Sequence, residues 1–291
     1  MLQKTSKHIR KPAWIRSHWP CNPEIDALKK MLRTQKLATV CEEAACPNLG
    51  ECFGCGVATF MLMGNICTRN CNFCNVQSGV PKPLDVDEPA NLAITVEKLQ
   101  LKYVVLTSVT RDDLADGGAM HFTKCIQALH AQNLNLKIEI LVPDFRKQQL
   151  DALKILGQAN YHVFNHNIET VPRLYPTVRP SANYRSSLTL LKLHKELYPK
   201  IPTKSGIMLG LGETYEEIIE VLKDLRINKV DMLTLGQYLQ PTKQHLEVQQ
   251  YVTPEKFQEL AAIAKQLGFT SVASAPLVRS SYHANTFFSQ E

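Results

Sequence analysis

The sequence lacks the features that would carry a protein of this length into a membrane. Its longest apolar runs, such as Val57 to Met63 and Ile207 to Leu211, fall far short of the roughly 20 residues that a bilayer-spanning helix needs. A soluble protein without a membrane partner is expected. A signal-peptide hydrophobic stretch is also missing. The basic residues Lys4, Lys7, Arg10, Lys11 and Arg16 precede the first acidic one, Glu24, but Pro12, Trp14 and Pro20 interrupt any amphipathic helix there. That stretch reads as a basic arm rather than a targeting segment, and the expected location is the cytoplasm. No block of like charge is dense enough to bind nucleic acid, and the net charge of +6 over 291 residues is modest. No low-complexity tract occurs. With 44% hydrophobic and 21% charged residues the chain can fill a substantial core, which argues against disorder.

The chain is instead rich in clustered cysteine and in βα alternation. Its nine cysteines are an odd number, concentrated between Cys41 and Cys74. They fit a secreted disulfide framework poorly and read as metal ligands in a reducing compartment. From residue 57 onward, short β-branched or apolar runs alternate with longer amphipathic segments, the pattern of a parallel sheet. The predicted strands are Val57–Met63, Tyr103–Thr107, Lys137–Val142, His162–His166, Lys204–Gly210 and Asp231–Tyr238. The helices predicted after them are Pro89–Gln100, Gly118–Gln132, Arg146–Gly157, Ala182–Leu197, Tyr215–Arg226 and Pro254–Leu267. Thr214 with Glu217 forms a capping box, and Thr253, Pro254 and Gly268 punctuate the last helix. A short apolar run, Ser271–Val278, ends the ordered chain.

Six βα units fall short of a closed eight-stranded barrel, so a partial, open α/β (β/α)6 TIM-like barrel is expected. Its chemistry should gather at the C-terminal ends of the strands. The expected division is an N-terminal extension over residues 1–56, the barrel over 57–270 and a C-terminal segment over 271–291, with both extensions covering the catalytic face.

The loop after the first predicted strand carries Cys67-Thr-Arg-Asn-Cys71-Asn-Phe-Cys74. A structural zinc site usually takes four ligands, so three thiols leave it one short. A [4Fe–4S] cluster on three thiolates keeps one iron open for S-adenosylmethionine. Zinc, or reduced cysteines in a loop, remain the alternatives. The spacing C-x-x-x-C-x-x-C, with Phe73 before the last cysteine, resembles the signature of the radical SAM superfamily. That resemblance implies one-electron cleavage of S-adenosylmethionine to a 5′-deoxyadenosyl radical, with Phe73 near the adenine.

A second triplet lies upstream: Cys41, Cys46 and Cys52 in Cys-Glu-Glu-Ala-Ala-Cys-Pro-Asn-Leu-Gly-Glu-Cys. Alone it is ambiguous between zinc, a second cluster and chance. Together with Ala58-Thr-Phe-Met61, Cys67-Thr-Arg, Arg111-Asp-Asp-Leu, Phe164-Asn-His-Asn-Ile-Glu-Thr170, Tyr175-Pro-Thr-Val-Arg-Pro180, Lys204-Ser-Gly-Ile-Met-Leu-Gly-Leu-Gly-Glu213 and Val278-Arg-Ser-Ser-Tyr-His-Ala284, it resembles the lipoyl synthase family along nearly the whole chain. The resemblance implies insertion of two sulfur atoms, at C6 and C8 of an octanoyl chain on a lysine of a carrier protein, with two S-adenosylmethionine molecules consumed. It implies an auxiliary [4Fe–4S] cluster on Cys41, Cys46, Cys52 and Ser281 as the sulfur source. The implied partners are lipoyl domains of 2-oxoacid dehydrogenase complexes, the glycine-cleavage H protein, a reductant such as ferredoxin or flavodoxin, and an iron–sulfur carrier that rebuilds the spent cluster. The chain departs from the family at Phe53, Val57 and Ser181, where tryptophan, threonine and glycine are usual. Cys55 adds an extra C-x-x-C with Cys52 and is taken as a bystander, as is Cys21.

Polar residues after the strands complete the expected site. Ser108, Asn165, Glu169, Arg179 and Gly210 are candidates to contact S-adenosylmethionine or substrate, with Gly210 and Gly212 letting backbone approach closely. Cys125 reads as a buried inert thiol, and His162 and His166 as structural. Asp112 and Asp113, being adjacent, should not face one pocket together. The rival readings are another two-cluster sulfur-inserting radical SAM enzyme of methylthiotransferase type, a zinc-stabilised binding module, and a ferredoxin-like electron carrier.

Overall fold

The computed structural model describes residues 10–15, 30–35, 37–40 and 57–281. The expected cluster ligands Cys41, Cys46 and Cys52, together with Cys21 and Cys55, lie outside the described residues. The main sheet has eight strands: β1 (Ala38–Thr39), β2 (Val57–Leu62), β5 (Tyr103–Ser108), β6 (Lys137–Leu141), β7 (Val163–Asn165), β8 (Thr203–Leu209), β9 (Met232–Gln237) and β10 (Ser271–Ser274), in that spatial order. A small parallel pair, β3 (Ile66–Cys67) and β4 (Gln77–Ser78), stands apart from it. β1 pairs antiparallel with β2, and every other pairing along the sheet to β10 is parallel. Among the described residues no ladder joins β10 back to β1 or β2, so the barrel is open.

The helices that follow β2 among the described residues are α1 (Glu88–Lys98), α2 (Ala119–Gln132), α3 (Gln149–Leu156), α4 (Tyr175–Val178), α5 (Tyr184–Leu197), α6 (Tyr215–Ile227) and α7 (Pro254–Gln266). The expected capping box is present in α6, where Thr214 and Glu217 satisfy each other's backbone amides. Thr253 caps α7 ahead of Pro254, and Gly268 takes the left-handed conformation just past its end. Helix α2 starts on Gly118 at φ +92. None of these helices is long and apolar enough to cross a membrane.

Two features depart from the expected layout. The run beginning at Ser271 does more than end the chain: β10 extends the sheet as a seventh parallel strand on β9. A lone alternating tetrapeptide carries no signal that it will pair, because the pairing comes from the exposed edge of β9. Strand β7 is only three residues long. It is flanked by His162, whose Nδ1 accepts the Ile138 amide, and by His166, held between the Val142 carbonyl and Ser187 Oγ at 2.8 and 2.9 Å.

The barrel interior is partly polar. Lys204 on β8 and Glu139 on β6 are both fully buried, with Nζ 3.1 and 3.0 Å from the two carboxylate oxygens. Tyr103 Oη and Asn165 Nδ2 also donate to Glu139, at 2.9 and 2.7 Å. A buried ion pair persists only when its remaining lone pairs are satisfied, and these two donors do that.

Candidate functional site: the cysteine loop and the strand ends around it

Strand β2 delivers the chain to the cysteine loop through a turn in which Met63 (φ +67) and Gly64 (φ +87) are both left-handed. A methionine pays for that conformation, and the surroundings hold it there. Its amide donates to both oxygens of Glu88, at 3.2 and 3.0 Å, and His121 Nε2 lies 2.5 Å from Glu88 Oε2. Its side chain packs over Gly118, where a Cβ would fall 2.4 Å from the Met63 sulfur. The starts of α1 and α2 thus grip the launch point of the loop. Cys125 sits beside this pair, buried, with its thiol pushed far up by that burial, which agrees with an inert role.

Beyond the turn, β3 and β4 bracket the loop, and the Gly79 amide closes on the Cys67 carbonyl at 2.9 Å. Arg69 pins the loop from inside. Its side chain is 4% exposed and donates Nε and Nη2 to Asp112 at 2.7 and 2.8 Å, and Nη1 and Nη2 to Asp144 at 2.8 and 2.6 Å. Asp113 turns the other way, to Arg111 at 2.7 Å, so the adjacent carboxylates do not share a pocket.

Cys67, Cys71 and Cys74 are free thiols, each partly buried. The Cys67 sulfur accepts two backbone amides, from Arg69 and Thr110, both at 3.4 Å. Burial pushes the Cys71 thiol up, against the pull of Arg179, and pushes Cys74 up to about 12. A bound cation would favour the thiolate forms of Cys71 and Cys74 against that burial. Among the described residues, the one set of three potential metal ligands whose donor atoms all lie within 4.8 Å of one another is Glu88, His121 and Cys125. The three loop sulfurs are not such a set, and two backbone amides point at the Cys67 sulfur.

The strand ends opposite supply polar groups. Ser108 closes β5, and its Oγ is buried without a partner among the described residues; the same holds for Thr170 Oγ1 and Arg179 Nε. Glu169 has φ +71 and bridges to Ile207. Burial pushes its carboxyl up while Arg179 pulls it down. Arg179 Nη1 donates to the Asn167 and Ile168 carbonyls at 3.0 and 3.2 Å. Buried polar atoms without a partner call for an explanation, and a bound polar ligand is one. Phe73 packs with Val178, Leu211 and Tyr238 at the same end.

Two expected ligand contacts are otherwise occupied. Asn165 gives its amide nitrogen to Glu139 inside the barrel, leaving only Oδ1 without a partner among the described residues. Gly210 is left-handed (φ +99), but a Cβ there would fall 2.2 Å from Gln237 Nε2 and 2.3 Å from the Gln250 carbonyl. Its bareness therefore accommodates protein, and its amide is taken by Glu213 at 2.5 Å.

The C-terminal segment crosses the same face. The Gln237 amide donates to the Pro276 carbonyl at 3.1 Å, and the Val278 carbonyl lies over bare Gly236. Asn167 Nδ2 donates to Ser280 Oγ at 2.6 Å, which sets Ser281 one residue further on at the strand ends. Sequence reasoning missed Arg69, Asp144, Glu88, His121 and Asn167. Arg69 lies between two of the cysteines, which was a usable signal; the other four act through contacts distant in the chain.

Residues 61–225 match the model of the radical SAM superfamily, and residues 1–46 match that of the N-terminal domain of lipoyl synthase. The lipoyl synthase of Thioalkalivibrio sulfidiphilus is 59% identical over 284 residues, spanning 98% of this chain and 89% of that protein. That of Alcanivorax borkumensis is 58% identical over 285 residues, spanning 98% and 88%. Among solved structures, methylornithine synthase superposes with a TM-score of 0.54 at 14% identity, covering 86% of this chain and 81% of its own. Coproporphyrinogen III oxidase of Escherichia coli does so with 0.52 at 16% identity, covering 73% and 53%. Those two likenesses bear on the fold, and the high-identity relatives decide the family: the chain belongs to the lipoyl synthases of the radical SAM superfamily.

Proposed function

We propose that Cys67, Cys71 and Cys74 hold the cluster that binds S-adenosylmethionine, and that Cys41, Cys46, Cys52 and Ser281 hold the one that gives up sulfur. As a lipoyl synthase the chain converts a protein-bound N6-octanoyl-lysine to N6-lipoyl-lysine, with S-adenosylmethionine and [4Fe–4S] clusters as cofactors. The observation that carries the assignment is the loop itself: three free, partly buried thiols on one loop, with two amides already aimed at the Cys67 sulfur.

When bound, the cofactors supply a 5′-deoxyadenosyl radical at one cluster and sulfide at the other. The protein's part is to position and to exclude water. Arg69, locked between Asp112 and Asp144, fixes the loop. Arg179 Nε and Ser108 Oγ, buried and without partners among the described residues, are donors for the carboxylate and ribose of S-adenosylmethionine. Glu169 accepts from its amino group or ribose, and Phe73 walls the adenine. Asn165 takes part only through Oδ1, and Gly210 through the shape of its turn.

The substrates are lipoyl carrier proteins. Lipoyl domains and the glycine-cleavage H protein, a ferredoxin or flavodoxin as reductant, an iron–sulfur carrier and a cytoplasmic location are proposed with them. So is the division at residues 56 and 270, with β10 as the part of the C-terminal segment that docks on the sheet.

Anaerobic reconstitution with iron counting tests the assignment. About eight irons per chain are expected for two such clusters, and Cys41→Ala should lose half of them while still cleaving S-adenosylmethionine and forming no lipoyl product. Four irons in the unsubstituted protein, or full product from the variant, would overturn the two-cluster reading.

A further inference from the structure

Asn167 stands between Arg179 and Ser280. Its side chain lies over Gly206, where a Cβ would fall 2.8 Å from its Oδ1 and 2.6 Å from Thr234 Oγ1. Only a bare backbone at position 206 leaves it that seat. From there its Nδ2 donates to Ser280 Oγ at 2.6 Å. Its backbone carbonyl accepts from Arg179 Nη1 at 3.0 Å, and next to Arg179 the Val178 carbonyl accepts the Asn72 amide of the cysteine loop at 3.2 Å. A continuous path thus runs from the Cys71 loop through Arg179 and Asn167 to Ser280, the neighbour of Ser281.

The C-terminal segment is held to the sheet at several points before residue 280. Upstream it is tied by the Gln237 amide to the Pro276 carbonyl, by the Val278 amide to the Ala275 carbonyl, and by the close approach of the Val278 carbonyl to Gly236. At residue 280 the contact to another part of the fold is the hydrogen bond from Asn167. A hydroxyl is a weak, hard ligand for iron compared with thiolate, so an oxygen ligand depends on being held in place by its surroundings.

We propose that Asn167 is a positioning residue for Ser281: by holding Ser280 it fixes the oxygen end of the sulfur-donating cluster relative to the S-adenosylmethionine site. The inference rests on the assignment of Ser281 as a ligand, and it adds a residue that touches neither cluster. It also gives Gly206 a reason, since any side chain there would push Asn167 off Ser280.

The test follows iron release to a chelator from the reconstituted holoenzyme, taking as the auxiliary phase the one that Cys41→Ala removes. Asn167→Ala and Ser280→Ala should each speed that phase about fivefold, the worth of one ordinary hydrogen bond. The double variant should be no faster than either single one, and Ser280→Thr, which keeps the hydroxyl, should release iron at the original rate. Ser280→Ala leaves the barrel untouched, so it decides the matter even where Asn167→Ala folds poorly. If Ser281→Ala speeds the phase while Ser280→Ala does not, or if the two single effects add, the positioning role is wrong and the ligand assignment stands. If Ser281→Ala itself leaves the phase unchanged, the ligand assignment falls and this inference falls with it.

Discussion

Arg69 and Asp144 meet in a two-pronged pair, Nη1 to Oδ2 at 2.8 Å and Nη2 to Oδ1 at 2.6 Å, with both side chains almost fully buried. The pair ties the cysteine loop to the end of β6 across 75 residues of sequence. Burial pushes the Asp144 carboxyl up, but the hydrogen bonds and charge of Arg69 outweigh it and hold the carboxyl below its usual range.

Removing Asp144 leaves a buried guanidinium with one carboxylate instead of two. Asp144→Ala is expected to cost about 3 kcal/mol, the low end for breaking a buried pair, and to weaken iron retention on Cys67, Cys71 and Cys74. A depressed folded-state pKa means the stabilisation is present above the unfolded value of about 4 and is lost as pH falls through the folded one. Urea unfolding across pH should therefore show the gap between Asp144→Asn and the unsubstituted protein closing on the acid side of pH ~4. A gap that stays constant there would deny the ion pair its role.

Glu88 predicts a local effect with a remote readout. Its carboxylate accepts the Met63 amide with both oxygens and lies against His121, so Glu88→Gln turns one acceptor into a donor facing other donors. The expected cost is about 1–3 kcal/mol for the groups left unsatisfied. Gly118→Ala strains the same turn from the other side. Its φ of +92 costs an alanine about 1–2 kcal/mol, and its Cβ would strike the Met63 sulfur. Both variants should retain less iron on the loop than Cys125→Ala, which removes a nearby thiol but no support. Equal retention in all three would sink the anchoring argument.

Which parts were legible in the sequence follows from what each residue responds to. The strands from β2 to β9 and the capping box at Thr214 and Glu217 announce themselves because periodicity and capping are local. The thiols of Cys67, Cys71 and Cys74 do so because their close spacing puts them on one loop. Asn165 shows the limit of such signals, because a polar residue at a strand end looks the same whether it faces a ligand or, as its amide nitrogen does here, an interior carboxylate 26 residues away. Gly210 shows it likewise, since a left-handed glycine says that something is close and not what it is. Asn167 could not be singled out at all, because Ser280 lies 113 residues further along the chain.

His194 and His162 make the acid limb of the stability curve steeper. His194 stacks on Phe164 with ring centroids 3.8 Å apart, and burial lowers its pKa to about 3. Burial, with Lys137 and His130 nearby, lowers His162 to about 4. A lowered histidine is neutral in the fold and protonated once unfolded, so each takes away stability as pH falls below about 6.5, by up to about 1.4 kcal/mol per pH unit. His194→Gln should flatten the decline in melting temperature between pH 6.5 and pH 4, whatever it costs at pH 8. An unchanged slope would show that His194 is not buried neutral.

Lys204 and Glu139 make the strongest case for an effect that crosses the molecule. Both are fully buried, and Glu139 also receives Tyr103 and Asn165. Burial, with Glu139 beside it, keeps the Tyr103 phenol protonated as a donor. Lys204→Met preserves the aliphatic stem and removes the charge, leaving Glu139 as a buried anion with only neutral donors. The expected loss is about 3–5 kcal/mol in urea unfolding. Adding Glu139→Gln should recover much of it, because a neutral amide no longer needs the cation. The single variant has a second consequence. Asn165 ends β7, and the next residues, His166 to Glu169, form the turn that carries Asn167 and faces Arg179. Disturbing Glu139 therefore reaches, through Asn165, the side of the barrel proposed to hold S-adenosylmethionine. Lys204→Met should weaken S-adenosylmethionine binding more than Tyr103→Phe, which removes a donor to Glu139 but does not touch β7. Isothermal titration of the reconstituted variants checks this ordering, and the reverse order would confine the network to structural support.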